Sequence, residues 1–154
     1  MNFRIEQLEA QPVAGIRTPV RISEIGQRIG ELVPEMETAL GDRIAGPLLA
    51  RYHTWKDGAG EMEVAFPVRE PIEPTGRVRP GELPAGPAVI AEHVGPYEGL
   101  KAAWAEVQQW TRAEGLQHRE PAWEWYIDDC NTTPPETLVT WIVCPIAPPD
   151  RSGA

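Results

Sequence analysis

The stretch "PAWEWYIDD", residues 121–129, sets one carboxylate, Glu124, among Trp123, Trp125 and Tyr126. An extended backbone sends successive side chains to opposite faces. Glu124, Tyr126 and Asp128 therefore share one face, and Trp123, Trp125 and Ile127 the other. If the tryptophan face packs under helices, the acid looks into an open cleft; a β-bulge would reverse that parity. A carboxylate among rings is costly to desolvate unless it is paired. A cation with aromatic surface supplies both charge pairing and ring contacts. The competing partner is a basic residue on an adjacent strand, such as Arg51. The chemistry on offer is thus cation capture or, with Tyr126 or Tyr97 as proton donor, activation of water by Glu124.

Other residues could complete such a site. Tyr97 follows Gly95-Pro96 at the start of a helix, and Tyr52 and Trp55 lie in the extended run "GPLLARYHTW". Trp104 falls on a helical apolar stripe and reads first as core. Trp141, on the last strand, fits core or cleft equally well. His93 closes a strand as a polar filler or a proton acceptor. His53, His93 and His118 share no ligand spacing, so no metal site is expected. No phosphate loop, dinucleotide glycine pattern or nucleophile elbow occurs, which gives no ground for a cofactor or a covalent mechanism. Cys130 and Cys144 form no CxxC and read as two reduced core or loop thiols.

The elements that must position these groups recur. Ser23 opens a helix over "SEIGQRIGELVPEMETALG", with Ile25, Ile29, Leu32, Val33, Met36 and Leu40 on one face, Gly41 as its stop and a kink or break expected at Pro34. The second helix, "YEGLKAAWAEVQQWTRAEG", carries Leu100, Ala103, Trp104 and Val107 as its stripe and Gly115 as its cap. Trp110 lies on its flank. "QPVAGIRTPV" matches "GPAVIAEHVGPY", "GPLLARYHTW" matches "EPAWEWYIDD", and "MEVAFPV" matches "VTWIVCPI", at an offset of about 75 residues. Each half reads strand, helix, strand, strand. The expected fold is α+β: two pseudo-symmetric βαββ repeats forming one antiparallel sheet, both main helices on one face, and a ligand cleft at the pseudo-two-fold. The repeats span about 3–69 and 86–147 of a single domain, 1–148. A proline- and glycine-rich linker, 70–85, joins them, and a frayed tail, 149–154, follows. Ala50 occupies the position in the first repeat that Glu124 holds in the second.

Composition narrows the function classes. A net charge of −9 over 154 residues lacks the basic face that phosphate contacts require, so no direct nucleic-acid partner is expected. No apolar run reaches the length of a membrane span. The N-terminal residues lack a basic and apolar leader, which points to a cytoplasmic location.

In order and spacing, "PVAGIR", "GPAVIAEHVGPYEGLKAAW", "WEWYIDD" and "TPPETLVTWIVCPI" resemble the GyrI-like small-molecule-binding family. That family is named for the gyrase inhibitory protein and includes the effector-binding domains of AraC- and MerR-type regulators; its fold is described as a duplicated SHS2 module. The likeness covers roughly residues 3–147. It implies a cleft at the pseudo-two-fold with Glu124 in its lining, and a lipophilic, cationic or planar aromatic small molecule as partner. It also leaves room for a hydrolase of strained, cyclopropanoid-type genotoxins, or for a protein that binds gyrase or a regulator. Unlike the regulators, this chain shows no helix-turn-helix before its first strand.

Overall fold

The computed structural model describes residues 1–119, 121–129 and 131–147, with every side chain among them except that of Trp55. The described residues form eight strands and two α-helices. The strands are β1 (Asn2–Leu8), β2 (Gln11–Arg21), β3 (Leu49–Lys56), β4 (Ala59–Pro67), β5 (Arg79–Leu83), β6 (Gly86–Val94), β7 (Ala122–Tyr126) and β8 (Val139–Pro145). The helices are α1 (Ile25–Leu40), between β2 and β3, and α2 (Leu100–Ala113), between β6 and β7. All pairings are antiparallel, in one curled sheet of order β1-β6-β8-β7-β3-β4-β2-β5.

Two βαββ repeats, β2-α1-β3-β4 and β6-α2-β7-β8, meet at the central β3–β7 seam. There Leu49 pairs with Trp125, Ala50 with Glu124 and Arg51 with Trp123. Because Ala50 and Glu124 are repeat equivalents, the pseudo-two-fold passes through their own pairing. Each repeat is also extended by a strand from the other half of the chain. β1 precedes the first repeat but pairs with β6, and β5 precedes the second but pairs with β2. The segment 70–85, expected as a bare linker, thus contains a strand. Its Pro80 and Gly81 hid it, yet Pro80 suits β5, which pairs on one side only and can spare a donor, and a β-carbon at Gly81 would lie 3.2 Å from Glu63 Oε2.

The helices form where the apolar stripes predict them. Leu32, Met36 and Leu40 are buried, with Ile25, Ile29 and Val33 packed beside them against Ala14, Ile16, Met62 and Val64 of the sheet. Each fully buried Leu, Met, Ile or Val side chain among them contributes about 1.5–3 kcal/mol by leaving water. Ser23 corrects an expectation: it lies inside a 3₁₀ turn, Ile22–Glu24, instead of capping α1. Of the kink or break expected at Pro34, the break does not occur, and α1 runs through that residue. Pro34 is on the solvent face, where water can serve the carbonyl that it leaves unbonded. Gly41, with φ 55°, ends α1. α2 ends in a Schellman turn: the Gly115 amide donates to the Arg112 carbonyl and the Leu116 amide to that of Thr111. Between β3 and β4, Asp57 and Gly58 both have positive φ (54° and 78°), as a two-residue hairpin turn of matching twist needs.

Both helices cover the same face. Under α2 lie Val89, Ala91, Ile142, Cys144 and Ile146. A third cluster, with Val13, Leu49, Ala65, Trp123 and Val143, forms the opposite face, and Trp125 and Trp141 pack against it. Gly15 of β2 runs so close to β4 that a β-carbon there would overlap the Val64 carbonyl oxygen and approach the Ala65 β-carbon to 2.6 Å. Gly15→Ala should therefore lower the urea unfolding midpoint, corresponding to about 1–3 kcal/mol, without changing the far-ultraviolet circular dichroism of the folded state.

Candidate functional site

Strand alternation in β7 holds without a bulge, so Glu124 and Tyr126 do share a face. It is the helix face, and the tryptophans take the other; the condition that would have pointed the acid away from the helices is not met. The reason lies in the register. Glu124 pairs with Ala50 and Ile142, both of which face the helices, while Trp123 pairs with Arg51 and Val143 on the far side.

Glu124 is only 4% exposed, and three donors surround it. The hydroxyls of Tyr52 and Tyr126 donate to Oε1 at 2.9 and 2.7 Å, and the indole nitrogen of Trp104 donates to Oε2 at 2.6 Å. Tyr52 comes from the first repeat, Tyr126 and Trp104 from the second. Ala50, opposite Glu124, leaves room for the three rings to converge. Tyr52 meets Trp104 edge-on with centroids 6.5 Å apart, and Tyr97 meets Tyr126 edge-on at 5.7 Å. Tyr97 is the outermost ring, 36% exposed.

No cation pairs with Glu124 among the described residues. Arg51, the basic neighbour expected to compete for it, lies on the opposite face. There its guanidinium binds the buried Glu63 at 2.8 Å and donates to the Glu82 carbonyl at 2.9 Å. A register shift between Tyr52 and Thr54 also brings His53 to Glu63, with Nε2 2.9 Å from Oε1. Hydrogen bonds to a charged group are worth about 1.5–3 kcal/mol each. Three of them offset a burial cost of several kcal/mol, but they leave the negative charge unneutralised. Burial, reinforced by the Glu124 charge, pushes the hydroxyls of Tyr52 and Tyr126 well above their ordinary value of 10.0.

Of the residues singled out in the sequence, Glu124, Tyr126, Tyr52 and Trp104 form one cluster, and Tyr97 adjoins it. Trp104, which read first as core, turns its one polar atom to the acid. His93 stands two strands from Tyr126, its Nε2 3.1 Å from the Pro96 carbonyl, as a polar strand-end residue would. Trp141, which fitted core or cleft equally well, stands on the opposite face, where it donates to Glu92 at 3.1 Å and lies beneath the Arg4 guanidinium. Trp55 belongs to the end of β3, and its side chain lies outside the described residues, as does Cys130. The Asp128 carboxylate serves the fold, since Oδ2 accepts the Val139 amide at 2.9 Å and fastens the start of β8. The sequence-derived set omits Thr140, which pairs with Tyr126 on the same face. Alternation in "LVTWIV" places it with Ile142, but only the register puts it beside the site. A surface recess of about 660 Å³ lies elsewhere; it is lined by Arg21, Glu24, Lys56 and Glu61, and none of its described lining residues belongs to this cluster.

A family model describing a GyrI-like small molecule binding domain matches residues 1–147. The chain belongs to the GyrI-like family. Among solved structures, the GyrI-like fold of this chain is similar to the EcmrR C-terminal domain, with a TM-score of 0.84 and 22% identity over 95% of this chain and 97% of that one. It is also similar to SAV2435, solved bound to tetraphenylphosphonium: TM-score 0.73, 17% identity, 96% and 94% coverage. A hydrolase encoded by lin2189 from Listeria innocua aligns with a TM-score of 0.65 and 16% identity over 94% and 91% of the two chains. No curated protein matches the sequence. Among the described residues, no helix of this GyrI-like domain is long and apolar enough to cross a membrane, and no group of three or more His, Cys, Asp or Glu could hold a metal ion.

The raised tyrosines give a pH dependence of definite sign. Their folded-state values lie above the unfolded one, so the stability they contribute is fully present below pH 10 and is lost as pH rises through the folded values. Spectrophotometric titration should show two tyrosines ionising only as the protein unfolds in alkali. Tyr126→Phe should remove one of them and make the alkaline loss of stability shallower.

Proposed function

We propose that this GyrI-like domain is a binding module for lipophilic, cationic or planar aromatic small molecules, and that Glu124 is the charge that selects them. One observation carries the reading: a carboxylate at 4% exposure is surrounded by neutral hydroxyl and indole donors with no cation among the described residues. A ligand cation placed there supplies the missing counter-charge. The rings of Tyr52, Tyr97, Trp104 and Tyr126 supply apolar area and π-faces for its body. In the present state those rings close over the acid, so entry requires an outer ring to move. Tyr97 is the most exposed, and Trp104 must release Oε2 if the cation is to reach it. The tetraphenylphosphonium bound by a protein of the same fold is a ligand of this class.

Acid–base hydrolysis is the second reading, raised by the hydrolase of the same fold. The tyrosines weigh against it here. Hydroxyls whose protons are held well past neutrality are poorly matched to donate them near pH 7.

Tetraphenylphosphonium titrated into the protein should quench tryptophan fluorescence saturably. In Glu124→Gln, shown folded by circular dichroism, binding should weaken about tenfold or more, roughly 1.4 kcal/mol. Trp104→Phe should lose most of the signal change. Equal binding by wild type and Glu124→Gln, or none by either, would remove the cation reading.

A further inference from the structure

Thr140 is fully buried in β8, and its hydroxyl has no hydrogen-bond partner among the described residues. An unpaired buried hydroxyl is unfavourable and uncommon in a well-packed interior. Its surroundings account for it. Thr140 pairs with Tyr126 on one side and His93 on the other, and neither gives its hydroxyl a hydrogen bond. The Tyr126 hydroxyl is committed to Glu124, and His93 Nε2 points to the Pro96 carbonyl. The one other unpartnered buried side-chain atom of this kind among the described residues, Trp123 Nε1, lies on the opposite face. Glu124 pairs with Ile142, so Thr140 is its diagonal neighbour on β8, with β-carbons roughly 7 Å apart. Tyr126 stands between the two, paired with Thr140 and bonded to Glu124.

We infer that Thr140 is a second polar anchor of the Glu124 site. The preferred ligands are then lipophilic cations that also carry a hydroxyl or carbonyl within roughly 7 Å of the cationic centre. The acid fixes the charge, and the threonine hydroxyl, able to donate or accept, fixes the neutral polar group. This inference rests on the cation reading of Glu124 and narrows its ligand class, with Thr140 acting as a specificity determinant.

A matched pair of probes tests it: tetraphenylphosphonium and (4-hydroxyphenyl)triphenylphosphonium, whose hydroxyl sits one ring away from phosphorus. The wild type should bind the hydroxylated cation about fivefold more tightly. Thr140→Val should bring that ratio to about one, and Thr140→Ser should keep it. Without ligand, Thr140→Val should unfold at a higher urea concentration than wild type, since it deletes an unpaired buried hydroxyl. A wild-type ratio near one, or a ratio unchanged in Thr140→Val, overturns the inference. So does a lowered urea midpoint in Thr140→Val, because the hydroxyl would then be satisfied in the free protein. Glu124→Gln, run beside these, separates the two failures. If it weakens both cations while Thr140→Val leaves their ratio intact, the cation reading stands and the threonine anchor falls. If neither cation binds the wild type, both fall.

Discussion

A carboxylate with no counter-ion among the described residues, buried at the seam of two repeats, constrains everything around it. Glu124 lies where the pseudo-two-fold crosses the sheet, so it can be reached from both halves at once. Three donors reach it, one from β3, one from β7 and one from α2. Each is the single polar atom of an aromatic side chain. The wall around the acid is therefore apolar in body and polar only where it touches the charge. A lysine or arginine in the same place would have neutralised the acid and left nothing for a ligand to supply.

The duplication makes this possible because it is imperfect. Were Ala50 a glutamate, two carboxylates would face each other across the seam, and like charges so close would not both ionise. A small residue in one repeat and an acid in the other give one charge with space beside it. The strong base in the neighbourhood is kept away by strand parity: Arg51 is next to Ala50 in sequence, yet it faces the other side of the sheet and is held there by Glu63 and the Glu82 carbonyl. The exchange of β1 and β5 between halves ties the repeats together.

Among GyrI-like domains the fold accommodates different activities, so the site has to argue for itself. Here the geometry favours holding a ligand over transferring protons. Both oxygens of the acid accept hydrogen bonds, and its tyrosine partners keep their protons far beyond neutrality. The unpartnered Thr140 on the same face adds a neutral requirement to the charged one.

Much of this was legible in the residues. Apolar periodicity located both helices and their buried faces, and the echo between halves announced the duplicated α+β sheet. The aromatic-flanked acid marked the candidate site, since a carboxylate among rings needs an explanation wherever it lies. Edge strand β5 escaped because proline and glycine hide a strand that pairs on one side only, and the run of α1 through Pro34 escaped because only solvent exposure makes a missing hydrogen bond cheap. What the residues alone determined was the periodicity of each element and the parity within each strand, both of which are local. Which face of the sheet the helices cover, and which rings therefore close on Glu124 while Trp141 and Arg51 turn away, depended on register between strands distant in sequence. Those pairings are set by the packing of the whole sheet, and only the tertiary structure decided them.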